Sequence, residues 1–273
     1  MDLSSTIFDM LRLIFLFLTT FSFIFGDAQI LPQALIDSFH LQELSEQDLL
    51  AHIQKEWRQQ GKERWDFDRR FEDQKETLAP IFEEMGYLQE RVPSKTSYKY
   101  ALIHGATIKR VKSRLASLKK AMDQGVRFER VVFLSGMRFL EPFEREGLPS
   151  SVQTEAEMAQ WVADQQDWLV GRIPFEVINA PPPPHQTRPS TIDTLKTWLA
   201  TNPEPGPCLA FSNQPYIPYQ DAIAKNVVPL AFEWETAGDA ADENWSVAIV
   251  LDTIARTTSL HYFSPQKHRE KRK

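Results

Sequence analysis

Hydrophobic positions follow two different patterns, one before Pro93 and another after it. Before Pro93, a capping-box pattern over residues 45–48 precedes apolar residues at helical spacing up to Trp57. A second amphipathic stretch over residues 65–85 is rich in phenylalanine. Such an aromatic stripe either packs in a core or lines a ligand groove. Residues 29–93 are therefore predicted to be a helical N-terminal segment.

After Pro93, short apolar runs alternate with longer amphipathic stretches. The predicted strands cover residues 100–104, 130–134, 175–178, 208–211 and 228–234. The predicted helices cover residues 108–124, 154–169, 190–200, 219–225 and 245–257. Strands that alternate with helices are typical of a parallel sheet covered on both faces. The fold class is therefore predicted to be α/β: a Rossmann-like parallel sheet of about five strands over residues 94–263. Five apolar side chains are expected in its core: Ile103, Val132, Phe133, Val177 and Leu209.

The first residues have the pattern of a secretion signal. Residues 11–25 are apolar apart from Arg12 and a few small polar residues, and this length is that of a signal-peptide core. Gly26 and Ala28 are small residues at the spacing of a cleavage site. Residues 1–28 are predicted to be a signal peptide, with a retained signal anchor or a buried helix as the alternatives. Asp2 and Asp9 depart from the positive charge expected before the apolar run, and a start at Met10 would restore it.

Composition narrows the range of functions. The net charge of −6 argues against a broad nucleic-acid-binding surface. Cys208 is the single cysteine, which excludes an intrachain disulfide bond. The scattered histidines give no zinc-binding spacing, so no metal site is predicted, and the cofactor stays unknown. The basic residues 264–273 are expected to be a disordered tail, and they or an uncleaved anchor are the predicted routes to membrane contact.

In a parallel sheet, ligands bind beyond the carboxyl ends of the strands. Four predicted loops lie there, at residues 104–107, 135–138, 188–191 and 212–216. Gly105 lets a ligand approach the backbone ahead of a helix start, and Gly136 and Arg138 suit an anion. The fourth loop carries hydrogen-bonding groups suited to a sugar or a base. The first loop lacks the glycine-rich motifs of dinucleotide and ATP sites.

Acidic residues and one histidine are further candidates for chemistry. Thr154 and Glu157 have capping-box spacing, which leaves Glu155 free for another role. Glu233 and Glu235 are predicted to share one face of the last strand, either as an acid–base pair or as a wet face. His104 is either a general base or a hydrogen-bonded structural residue. No serine-hydrolase motif is present, so the sequence does not decide whether the protein is an enzyme.

The order of these motifs resembles that of the YdcF/SanA/ElyC-like domain of unknown function. The shared pattern runs from residue 98 to 232 and comprises "HGAT", "SRL", "SGM", "TEAEM", "STID" and "FSN". The resemblance implies a Rossmann-like fold and a location in a bacterial cell envelope. By position it implies seven site residues: Gly105, Arg114, Ser135, Gly136, Glu155, Thr191 and Ser212.

The sequence departs from that family at three positions. Met137 replaces a second glycine, the stretch from Thr191 to Thr194 replaces a Thr-x-Glu-Asn pattern, and a histidine and an arginine after the last motif are missing. Two hypotheses follow. In the first, an exported, periplasmic or envelope-associated protein binds a small nucleotide-like or sugar-phosphate anion. In the second, the protein is a non-catalytic interaction module with a vestigial site.

The predicted ligand-binding residues are expected to surround one cleft, with Arg114 or Arg138 providing positive charge. The full set is His104, Gly105, Thr107, Arg114, Ser135, Gly136, Arg138, Glu155, Thr191, Ser212, Asn213 and Gln214.

Overall fold

The computed structural model describes residues 30–62 and 66–263. The eight helices of this part of the chain are α1 (Gln33–Ser38), α2 (Glu46–Glu56), α3 (Lys75–Glu84), α4 (Ile108–Asp123), α5 (Glu155–Asp164), α6 (Thr191–Leu199), α7 (Ile217–Val227) and α8 (Val247–Phe263). The five strands are β1 (Ser97–His104), β2 (Arg127–Gly136), β3 (Phe175–Ala180), β4 (Cys208–Asn213) and β5 (Trp234–Asp239). The signal peptide, its cleavage site and the basic tail predicted from the sequence lie outside the described residues.

The five strands form one sheet in the order β3-β2-β1-β4-β5, and every neighbouring pair is parallel. The chain builds outward from β1 to β3 and then crosses to the other side of β1 to begin β4. This reversal is a topological switch point between β1 and β4. The α/β class, the parallel sheet of five strands and the preceding helical segment are therefore confirmed.

The two faces of the sheet bury different side chains, as the alternation along a strand requires. Ile103, Phe133 and Phe211 pack in the core that includes α4 and α5. Leu102 and Ala210 pack in the core that includes α6 and α7. Of the five side chains predicted to be buried, four are buried, and Val177 is only half-buried because β3 lies at the edge of the sheet.

Several predicted boundaries are wrong, most clearly near the last strand. Residues 228–233 are not a strand, because Leu230–Phe232 is a 3₁₀ helix and β5 begins at Trp234. Glu233 has a left-handed backbone (φ 41°), so it does not share a strand face with Glu235. The helix predicted from residue 154 ends at Asp164. The stretch predicted from residue 65 is not one continuous helix: Phe71 is left-handed (φ 64°), and the 3₁₀ turn Glu72–Gln74 and α3 follow it.

The chain divides into two compact units, of which the first ends at Glu46 and the second begins at Gln47. In the first, the Asp37 carboxylate accepts hydrogen bonds from the side chains of Gln33 and Gln42.

In the second unit, residues 47–93 join the α/β body. The buried Asp252 carboxylate of α8 accepts the Gln59 N–H at 3.0 Å, and Gln54 donates to the Ala255 carbonyl. Arg91 forms an antiparallel bridge with Gly238 at the end of β5. In the described part of the chain, no helix is both long and apolar enough to cross a membrane.

Candidate functional site

The predicted loops leave a single edge of the sheet. Because β1, β2 and β4 are parallel and adjacent, their carboxyl ends lie together, with β1 in the middle. Ser135 near the end of β2 and Ser212 near the end of β4 are therefore on the same edge, and both are buried. The structure thus places the two serines on the shared edge that the sequence predicted.

Gly105 leaves room for protein atoms. A methyl group added at Gly105 would lie 1.9 Å from Glu155 Oε1 and 2.8 Å from the Leu134 carbonyl oxygen. The Glu155 carboxylate thus fills the space that a side chain would occupy. The glycine is explained by this contact, and it does not by itself indicate a ligand.

Arg138, one of the two arginines expected to bind an anion, is held by carboxylates instead. It donates to both oxygens of Glu144 at 2.5 and 2.9 Å, and its Nε donates to Glu155 at 3.0 Å. Burial raises the pKa of Glu155, and the Arg138 charge opposes that rise only in part. Two carboxylates sharing one guanidinium leave no surplus positive charge here.

Arg114 is also committed to the protein. Its guanidinium is almost fully buried and donates to the carbonyls of His104 and Gly105 at 2.5 and 3.0 Å. Its Nε donates to Asn213 Oδ1 at 2.9 Å. This arginine ties the end of β1 to the end of β4 across the switch point. Its bonding favours a structural role for Arg114 over the predicted contact with a ligand.

Gly136, Thr191 and Gln214, three more of the predicted site residues, also contact other parts of the protein. A methyl group at Gly136 would lie 2.1 Å from the Pro189 ring, so the segment before α6 packs against that glycine. Thr191 is the first residue of α6, whose start is capped by Ser190 and Asp193. The side-chain amide of Gln214 donates to the carbonyls of Gly86 and Gln89, which attaches the turn after α3 to this edge.

His104 lies on the face of the sheet that packs against α6 and α7, with its ring 6.3 Å from the Trp234 ring. Burial lowers its pKa to about 3, and the Arg114 charge adds to the shift. The imidazole is therefore neutral at physiological pH. Its Nε2 is buried without a hydrogen-bond partner among the described residues. Because His104 is only 2% exposed, a structural role fits it better than a role as a general base.

On this edge, the starts of α4 and α7 lack the capping boxes found at the starts of α5 and α6. Helices α5 and α6 begin with capping boxes, in which Glu157 and Asp193 accept backbone N–H groups. Helix α4 has no side-chain cap at Thr107 and no acidic residue in its first turn. Within the described residues, the N–H groups of residues 106–109 have no hydrogen-bond partner, and this stretch is half-buried or exposed.

Arg110, a residue that the sequence interpretation missed, adds a cation beside these N–H groups. Its guanidinium lies 4.8 Å from the centre of the Tyr216 ring, which is buried at the start of α7. No ion pair joins Arg110 to a carboxylate of the described residues. The signal was present in the sequence, because residues 107–112 contain three basic residues and no acidic one.

Comparison with known proteins adds no relative: no family model, no curated protein and no solved structure matches the chain. The resemblance to the YdcF/SanA/ElyC-like domain therefore stays a prediction from short motifs.

Proposed function

We propose that the protein binds a small anionic ligand, carrying a phosphate or a carboxylate, at the switch point between β1 and β4. One observation carries this proposal: residues 106–109 offer a run of unpaired N–H groups at the start of α4. Helix starts attract anions because their free N–H groups and the helix dipole both favour negative charge. At the starts of α5 and α6, capping boxes already bind backbone N–H groups through Thr154 with Glu157 and through Ser190 with Asp193.

Arg110 supports the proposal as the cation of the site, in place of Arg114 and Arg138. Its stacking on Tyr216 connects the starts of α4 and α7, the two helices that follow the strands of the switch point. Thr107 and Asn213 lie at the ends of the same two loops. The nucleotide-like or sugar-phosphate ligand suggested by the sequence belongs to this chemical class, and a catalytic step is not part of the proposal.

The test is calorimetric titration of the full-length protein with inorganic phosphate and with pyrophosphate. Replacing Arg110 by alanine should weaken binding by about 10- to 150-fold, because a charge-assisted contact contributes about 1.5–3 kcal/mol. The melting temperature should hardly change. Arg127→Ala is the matched control, since Arg127 is exposed at the opposite end of the sheet. Equal affinities in wild type and Arg110→Ala would refute the site.

The second candidate is the non-catalytic interaction module. It is favoured by the filling of the predicted cleft, where Glu155 occupies the space beside Gly105 and Pro189 the space beside Gly136. If neither phosphate nor pyrophosphate binds, this alternative becomes the better account of the edge.

Export is a separate proposal that rests on residues 11–28. The apolar core and the small residues before residue 29 support an exported, envelope-associated protein. N-terminal sequencing of the mature protein tests this directly. A first residue near Gln29 is expected, and a chain that still begins at Met1 or Met10 would indicate an anchor.

A further inference from the structure

The loop between β2 and α5, residues 137–153, exposes an unusual amount of apolar surface. Met137, Phe139 and Phe143 are 47%, 73% and 55% exposed. They are three of the seven large apolar side chains that the described residues leave exposed, and they lie within seven positions of one another. Apolar side chains gathered in this way usually mark a surface that contacts another molecule or a membrane.

The loop itself is held firmly in place. Phe139 forms an antiparallel bridge with Thr154, and Leu140 donates to the Gln153 carbonyl at 2.9 Å. Arg138, between two of the exposed apolar residues, is fixed by Glu144 and Glu155. The backbone and the buried ion pairs thus present the apolar side chains from a fixed support. The exposed apolar side chains therefore belong to a loop whose backbone is fixed.

Basic residues lie on the same edge of the sheet and on the same face. Helix α4 begins at this edge with Lys109 and Lys112 exposed, and it packs beside α5, into which the loop leads. Lys112 Nζ lies 5.7 Å from the centre of the Trp161 ring of α5. Within the loop, the exposed Glu141 and Glu146 outnumber Arg145. The exposed positive charge on this face therefore comes mainly from α4 and not from the loop.

We propose that this edge docks on an anionic lipid membrane, with Phe139 and Phe143 entering the interface and the α4 lysines contacting the headgroups. The combination of exposed apolar residues with lysines beside them matches the two forces that hold peripheral proteins on such membranes. The phenylalanine loop is separate from the proposed phosphate site, which depends on Arg110 and the N–H groups of residues 106–109, whereas Lys109 belongs to both.

Vesicle co-sedimentation of the full-length protein tests the docking surface. The vesicles contain phosphatidylcholine with or without phosphatidylglycerol. Phe139→Ser combined with Phe143→Ser should reduce binding to the anionic vesicles by about tenfold or more, since each phenylalanine loses its apolar burial. Lys109→Gln and Lys112→Gln should each reduce it by about fivefold, and only at low salt.

Leu230→Ser is the matched control, because Leu230 is 89% exposed but precedes β5 at the opposite edge of the sheet. All variants share residues 1–29, so differences between them report on the loop alone. Binding that is unchanged in the phenylalanine variant would refute the proposal. So would a wild-type dimer that this variant dissociates, since the loop would then be a self-association surface. Phosphate affinity should be the same in the phenylalanine variant and in wild type.

Discussion

Replacing Gly105 by alanine tests how the edge of the sheet is filled. Gly105 has no left-handed backbone angle, so the expected effect is one of space alone. The new methyl group would lie 1.9 Å from Glu155 Oε1 and 2.8 Å from the Leu134 carbonyl oxygen. Glu155 is bound to Arg138 at 3.0 Å, and Leu134 belongs to β2, so both neighbours resist displacement. Overpacking of this kind destabilises a protein by about 1–3 kcal/mol.

A double-mutant cycle separates the two clashes. In a Glu155→Ala background, the closer clash is gone and only the carbonyl remains, so Gly105→Ala should cost less there. The expected coupling is about 0.5–3 kcal/mol, measured from urea denaturation midpoints. Gly206→Ala is the control, because its closest contact is the flexible Lys99 side chain. If Gly105→Ala costs the same in both backgrounds, Glu155 does not fill the space beside Gly105 and the description of this edge is wrong.

Three further predictions concern stability. Arg114→Ala should lower the free energy of unfolding, measured by urea denaturation, by about 3–5 kcal/mol, because it leaves two carbonyls and the Asn213 side chain unsatisfied. A loss below about 1 kcal/mol would contradict the structural role of Arg114. Val132→Ala should lower the free energy of unfolding by about 1–3 kcal/mol, and Val177→Ala should lower it clearly less, since β3 is an edge strand. Equal shifts of the denaturation midpoint in the two variants would argue against the strand order. His104 has a folded pKa of about 3, below its value of 6.5 in the unfolded chain, so the stability it contributes is complete above pH 6.5 and is lost as the pH falls toward 3. Between pH 7 and 5, His104→Gln should remove about 2 kcal/mol of the acid destabilisation measured by urea denaturation, and equal acid destabilisation of wild type and variant would contradict this.

The sheet could be predicted because four of its strands are apolar runs bounded by turns and helices. β5 could not, since its sequence, WETAGD, has no such run. The apolar residues just before it form the 3₁₀ helix Leu230–Phe232. Periodicity also missed the left-handed residues Phe71 and Glu233, where side chains other than glycine are uncommon.

The convergence of the loops could be predicted too, because it follows from parallel strands alone. The bonding of individual side chains could not. Arg138 and Gln214 have the residue types of ligand contacts, but Glu144, Glu155, Gly86 and Gln89 already use their donors. Gly86 and Gln89 are 128 and 125 residues from Gln214 in the chain. Glu144 and Glu155 are only six and 17 residues from Arg138, but no local sequence pattern marks them as its partners.

The most direct test of the anion site is a ¹⁵N-edited NMR titration of the full-length protein with inorganic phosphate. The proposed site predicts saturable shifts of the backbone amides of residues 106–109, the N–H groups that lack a partner at the start of α4. The same titration of Arg110→Ala should require a higher phosphate concentration. The amides of Thr154, Glu155 and Glu157 should hardly move, because they already donate to the Glu157 carboxylate, the Arg138 carbonyl and Thr154 Oγ1. Shifts that do not saturate, or that appear at α5 and not at α4, would contradict the proposed site.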